Sequence, residues 1–253
     1  MSIFKRRPKT ITWVTPDGEY SVLANKALEA EHTLIAGYTG CGKSTFLRAI
    51  LQAMLVQHSP AEAKLIIIDP KQTDLWEYRN LPHVLRYADT LDTACSALAY
   101  AVEEMSNRNA IRRSRGEEVY SGAALYVVID ELNPILTDKY DRKRRMFSAF
   151  CIEQLVSLGR ASNVHVICAT QNPNKTTIPA NISDNCTCRF GLHCMTDIQS
   201  RQIILTKGCE QLPKHGQTLA IIDGELGHYV LPYVKMNEVR PLINYWTSSA
   251  CRA

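Results

Sequence analysis

No apolar stretch in these 253 residues approaches the length needed to cross a bilayer. The N-terminus carries no apolar core of the kind a secretory signal has. Both absences point to a chain that is soluble and cytoplasmic. Internal repeats, low-complexity tracts and a clear linker are missing as well, which excludes repeat architectures and makes one domain the economical reading. No sign of charge is in large excess. A net charge of +4 permits a nucleic-acid partner without demanding one. C-x₂-C pairs, the usual signature of structural zinc, are absent although there are nine cysteines. That count is odd and the residues are scattered. Cys41, Cys95 and Cys168 fall inside segments that read as loop, helix and strand, which suits reduced, partly buried thiols better than a disulfide framework. Cys186, Cys188 and Cys194 beside His193 are the nearest thing to a metal cluster. Cys186 and Cys188 share one face of a short β run, and buried thiols are the preferred reading. With 45% hydrophobic and 21% charged residues, the chain has the composition of an ordinary globular protein able to bury a core on both faces of a sheet.

Against these absences stands one stretch of high information. Residues 33–45 read Thr-Leu-Ile-Ala-Gly-Tyr-Thr-Gly-Cys-Gly-Lys-Ser-Thr. Gly37, Gly42, Lys43 and Ser44 fill every fixed position of G-x-x-x-x-G-K-[ST], the phosphate-binding loop, or P-loop. An apolar run over 32–36 precedes it, and a helical stretch over 44–56 follows. Glycines let the backbone turn its N–H groups inward on a polyphosphate, and the helix N-terminus adds its own donors and dipole. Gly37, Tyr38, Thr39, Gly40, Cys41, Gly42, Lys43, Ser44 and Thr45 are thus the candidate ATP-binding residues. Lys43 would reach the β- and γ-phosphates and Ser44 would hold Mg²⁺.

Further β runs are expected over 64–68, 125–129 and 164–169, with 186–192 and 217–222 as additional strands and 228–234 forming a late hairpin with the latter. Helices are expected over 92–115 and 141–158. Residues 10–23 read as a hairpin around Thr15-Pro16-Asp17-Gly18, behind a basic segment containing Lys5, Arg6, Arg7 and Lys9. The stretch from 236 onward reads as a tail. β runs alternating with helices imply crossover units and an α/β fold around a mostly parallel central sheet flanked by helices. Ligands bind beyond the carboxyl ends of such strands, where Gly37, Asp69, Asp130 and Gln171 can converge. Asp130-Glu131 closes the 125–129 run. Asp130 would serve the Mg²⁺ shell, and Glu131 would orient or deprotonate water. At Thr170-Gln171 two readings stay open: Gln171 as a sensor of the γ-phosphate, or a turn-forming pair before Pro173.

Together these segments resemble the FtsK/SpoIIIE family of DNA-translocating ATPases within the HerA–FtsK group. The likeness runs from about Leu34 to Gly216. It rests on the P-loop, on Ile68-Asp69-Pro70-Lys71 with Leu81-Pro82-His83, and on the strand end over residues 127–132. It continues through Gly159-Arg160-Ala161, Ala169-Thr170-Gln171-Asn172-Pro173, Ser200-Arg201 and Gly208-Cys209-Glu210-Gln211-Leu212. The resemblance implies a RecA-like P-loop NTPase that hydrolyses ATP with Mg²⁺, a homo-oligomeric ring, usually a hexamer, and double-stranded DNA in its pore. It makes Arg160 a candidate arginine finger acting on a neighbouring subunit. Thr170, Lys175, Arg189 and Arg201 become candidates for nucleic-acid contact, with the last two weaker candidates for the finger. The chain departs from the family at Asn172, where an arginine is common, and near Ser183 and Asp197, where cations are usual. Phosphate contacts need cations. The membrane-spanning and winged-helix regions that family members often carry are not in these residues, so septum anchoring and sequence-directed motion are not expected of them. Two alternatives keep their place: a related ring ATPase moving protein in a secretion or conjugation machine, and a non-motor nucleotide-binding regulator. The run Arg142, Lys143, Arg144 and Arg145 reads as a solvated helix face.

Overall fold

The apolar runs at the centre of the sheet become strands whose side chains alternate between two covered faces. The structure is a computed structural model describing residues 19–72, 75–174 and 178–248. The strands are β1 (His32–Ala36), β2 (Ala63–Ile68), β3 (Val84–Ala88), β4 (Ala124–Ile129), β5 (Val164–Thr170), β6 (Cys188–Gly191), β7 (Gln217–Ile222) and β8 (Glu225–Val230). The helices are α1 (Glu19–Glu29), α2 (Lys43–Gln57), α3 (Leu91–Arg115), α4 (Leu132–Leu136), α5 (Arg142–Leu158), α6 (Ala180–Ser183), α7 (Asp197–Ile204) and α8 (Met236–Thr247).

One sheet runs in the order β3-β2-β4-β5-β1-β6-β7-β8. Pairing is parallel from β3 through β6, and β7 and β8 add an antiparallel edge. Ile35, Ile67, Val128 and Ile167 face one side, where α1, α2 and α8 pack. Leu34, Ile66, Val127 and Val166 face the other, under α3, α4 and α5. Burial on both faces explains why these strands read as continuous apolar runs.

Register fixes the site. Ala36 lies opposite Thr170, Cys168 opposite Ile129, and Ile129 opposite Ile68. The carboxyl tips of β2, β4, β5 and β1 therefore stand side by side, and Asp69, Asp130-Glu131, Gln171 and Gly37 follow them in that order.

Three expectations need correction. Residues 19–23 are not the second strand of a hairpin but the start of α1, because Leu23, Ala24, Ala27 and Leu28 recur at helical spacing and pack into the core beside α2. The basic segment and the Thr15–Gly18 turn lie outside the described residues. Strand β6 begins at Cys188, so Cys186 precedes it. The stretch from 236 forms α8, tied back by Trp246 Nε1 donating to the Leu55 carbonyl at 3.0 Å.

Candidate nucleotide site

The P-loop leaves β1 at Gly37. A Cβ there would lie 2.7 Å from Leu192 Cβ and 2.9 Å from Cys41 Sγ, so only glycine fits. Gly37 N–H donates to Thr170 O (3.2 Å) and Tyr38 N–H to His193 O (2.7 Å), anchoring the loop to both neighbouring strand tips. Gly40 and Gly42 have φ of 78° and 108°, which a side chain would strain. Lys43 opens α2 and is 5% exposed. Its Nζ donates to the carbonyls of Gly37 (2.7 Å) and Tyr38 (3.0 Å), within the loop it would share with a polyphosphate. Burial pushes the Lys43 pKa below its ordinary value. The Cys41 thiol, Glu131 and Asp130 pull it back up, and Lys71 pushes it further down. Ser44 and Thr45 are half-buried in the first turn of α2.

Asp130 is buried at the tip of β4, its N–H bonded to Ile68 O (3.0 Å). Glu131 caps α4 through Asn133 N–H (3.3 Å). It also accepts from the Thr170 hydroxyl (2.9 Å), from Gln171 N–H (3.1 and 3.2 Å) and from Lys71 Nζ (3.0 Å). Gln171 reaches the P-loop: Thr39 Oγ1 donates to its Oε1 at 2.9 Å. Asp69 accepts Leu75 N–H (3.1 Å) and shapes the turn that carries Lys71.

Lys43, Ser44, Asp130, Glu131 and Gln171 are thus brought to one edge. Other candidates are not. Arg160 lies just before β5, at the opposite edge of the sheet. It is 77% exposed and paired with Glu31 at 2.9 Å. Arg189 is buried, its guanidinium donating to the carbonyls of Cys186 (3.0 Å), Ser183 and Ile203. It works as a strut, closed to phosphate. Thr170 does lie at the nucleotide edge, but it is fully buried with its hydroxyl on Glu131, so it supports the carboxylate and offers nothing to a nucleic-acid surface. Arg201 is exposed on α7 beside Asp197. Lys175 lies outside the described residues. Sequence reasoning left the role of Lys71 open and missed the Thr39–Gln171 link. The Asp69-Pro70-Lys71 turn carried a signal, since β2 is the neighbour of β4. Of the basic run on α5, Arg144 is clamped by Asp138 (2.6 Å) and Arg145 donates to Asp138 O (3.2 Å). Arg142 and Lys143 remain exposed.

Strand order, loop and carboxylates together are those of a RecA-like P-loop ATPase. Residues 4–133 match the FtsK/SpoIIIE family, and the chain belongs to that family. It is 30% identical over 230 residues to the DNA translocase FtsK of Helicobacter pylori (strain J99), a match spanning 85% of this chain and 27% of the relative. It is 32% identical over 203 residues to the DNA translocase FtsK of Caldanaerobacter subterraneus subsp. tengcongensis, spanning 74% and 27%. The chain thus spans just over a quarter of the length of these relatives. Among solved structures, the pCW3 conjugation coupling protein TcpA, in monomer form with ATPgS, aligns with a TM-score of 0.76 at 21% identity, covering 87% of this chain and 66% of that one. The type VII secretion ATPase EccC of Thermomonospora curvata aligns at 0.72 and 20%, covering 87% and 28%. At such identities the likeness is one of fold.

Proposed function

We propose that this chain is the ATP-hydrolysing motor of a machine that moves double-stranded DNA. The observation that carries the reading is the placement of the P-loop and the Asp130-Glu131 pair on one sheet edge. Lys43 and the loop N–H groups hold the phosphates. Ser44 and Asp130 offer hard oxygen donors of the kind Mg²⁺ takes. When bound, Mg²⁺ supplies charge neutralisation on the polyphosphate. Glu131 orients the attacking water and accepts its proton. Gln171, in contact with Thr39 of the loop, senses the γ-phosphate. The family and the relatives named DNA translocase favour DNA as the polymer, and the exposed Arg142, Lys143 and Arg201 provide cations for it.

The motor works as a homo-oligomeric ring, with a hexamer as the expected size. Support comes from α5, whose Met146, Phe147 and Phe150 stand exposed together, with Tyr140 just before them. Such an apolar patch marks a protein contact, and a second copy is the partner a ring requires. Arg160 follows the same helix by two residues, is 77% exposed, and reaches a neighbour as an arginine finger by exchanging its Glu31 partner for phosphate. Among the described residues no helix is long and apolar enough to cross a membrane. Nucleoside triphosphate supply places this part of the protein in the cytoplasm.

A second reading keeps the ATPase and moves protein instead. It is favoured by Thr170 and Arg189 being closed to phosphate. ATP turnover with and without duplex DNA at low salt separates the two: stimulation is expected, and its absence contradicts DNA as the polymer.

A further inference from the structure

The carboxylate of Glu131 is saturated. A carboxylate offers about four lone-pair sites. Asn133 N–H and the Thr170 hydroxyl occupy Oε1, Gln171 N–H bridges both oxygens, and Lys71 Nζ sits on Oε2 at 3.0 Å. The side chain is 1% exposed. A general base must present a lone pair to the proton it takes, within hydrogen-bond reach. In this arrangement Glu131 presents none.

The four donors differ in their freedom to leave. Asn133 and Gln171 donate from the backbone, one inside α4 and one at the tip of β5. Thr170 is fully buried in β5. Lys71 alone is a long, flexible side chain, 37% exposed, on a turn between strands.

We propose that Lys71 is a latch on Glu131: its ammonium covers the Oε2 lone pair that would meet water, and each hydrolysis event waits for that pair to break. The proposal rests on the reading of Glu131 as the residue that orients and deprotonates water. It makes Lys71 a positioning residue, acting through Glu131 and not on the phosphates. Ion pairs of this partly exposed kind hold by an amount that corresponds to about a five-fold change in rate.

The test is steady-state ATP hydrolysis by the full chain without and with duplex DNA, comparing wild type with Lys71→Met, Lys71→Gln and Lys71→Arg. Binding of a fluorescent ATP analogue and a thermal melt accompany each variant. Lys71→Met and Lys71→Gln should raise kcat about five-fold, leave KM and analogue affinity within two-fold (about 0.4 kcal/mol), and shrink the ratio of DNA-stimulated to basal rate. Lys71→Arg, which keeps the charge, should stay at the wild-type rate. A kcat that is unchanged or lower in both neutral variants, with the fold and nucleotide affinity intact, overturns the latch. Glu131→Gln distinguishes the two levels. If it hydrolyses ATP like wild type, the assignment of the base fails and the latch with it. If it is inactive while Lys71→Met matches wild type, the latch alone fails.

Discussion

Gly37 is a glycine for reasons of space. Leu192 and Cys41 crowd the position where a Cβ would stand, and Leu192 is pinned by its own N–H to Ala36 O at 2.8 Å. Gly37→Ala must push the loop off its strand. We expect a loss of ~1–3 kcal/mol in stability and at least about ten-fold weaker ATP binding, measured by thermal melt and nucleotide titration. Wild-type affinity in a folded variant would contradict the loop geometry. At this scale the sequence was most legible where one residue type admits one use. Gly37 and Lys43 could be located from spacing and type, because the P-loop tolerates few alternatives, and Asp130 and Glu131 only through their pairing with that loop, since strands ending in Asp are common. Thr170 and Arg189 could not. A threonine at a strand end can face a partner or support a carboxylate, and an arginine in a strand can reach out or tie off carbonyls. Only the neighbours decide, and they come from segments distant in the chain.

Among the elements, β1 and β5 are joined by more than backbone pairing. His32 is buried, and its Nδ1 accepts Val166 N–H at 3.0 Å. That bond requires the neutral ring. Burial, with repulsion from His165, pushes the His32 pKa down to about 4, against the pull of the Val156 carbonyl. In the unfolded chain the ring titrates near its ordinary value of 6.5. Between pH 6.5 and about 4 the unfolded state therefore binds the extra proton, and stability falls as pH falls through that window. The full effect is up to ~3 kcal/mol for this residue. Thermal melts at pH 7 and pH 4.5 should show wild type losing more than His32→Gln, whose side chain does not titrate. Parallel losses would contradict the assignment. The long apolar strands and α3 were readable because burial on both faces, or 3.6-residue periodicity, writes itself into many positions. The short ones were not. Tyr20 and Val22 have β propensity, but α1 wins through the packing of Leu23, Ala24, Ala27 and Leu28. The stretch from 236 onward reads as a tail, yet it forms α8 with Pro241 inside it, held by Trp246 and by the Arg240–Glu77 pair at 2.8 Å.

In the ring proposed above, the edge that holds the nucleotide site and the exposed face of α5 act together. The apolar residues on that face stand exposed, while α5 buries Cys151, Ile152, Leu155 and Val156 on its other side. Phe147→Glu with Phe150→Glu should leave the monomer fold and ATP binding intact and abolish assembly, read as particle mass with an ATP analogue and duplex DNA. Unchanged assembly would remove α5 from the subunit contact. That the assembly cannot be read from one chain is a matter of physics: a heterologous interface joins two different surfaces, and nothing in the spacing of either names its mate.

The joining of the P-loop to the Asp130-Glu131 tip is tested most directly by ATP turnover of the purified chain and its Glu131→Gln variant, each with and without duplex DNA at low salt. Hydrolysis that rises with DNA in wild type, and falls by about a hundred-fold or more in a variant that still binds ATP, is the expected result. A variant that turns over at the wild-type rate, or a wild-type chain that binds no adenine nucleotide, would contradict it.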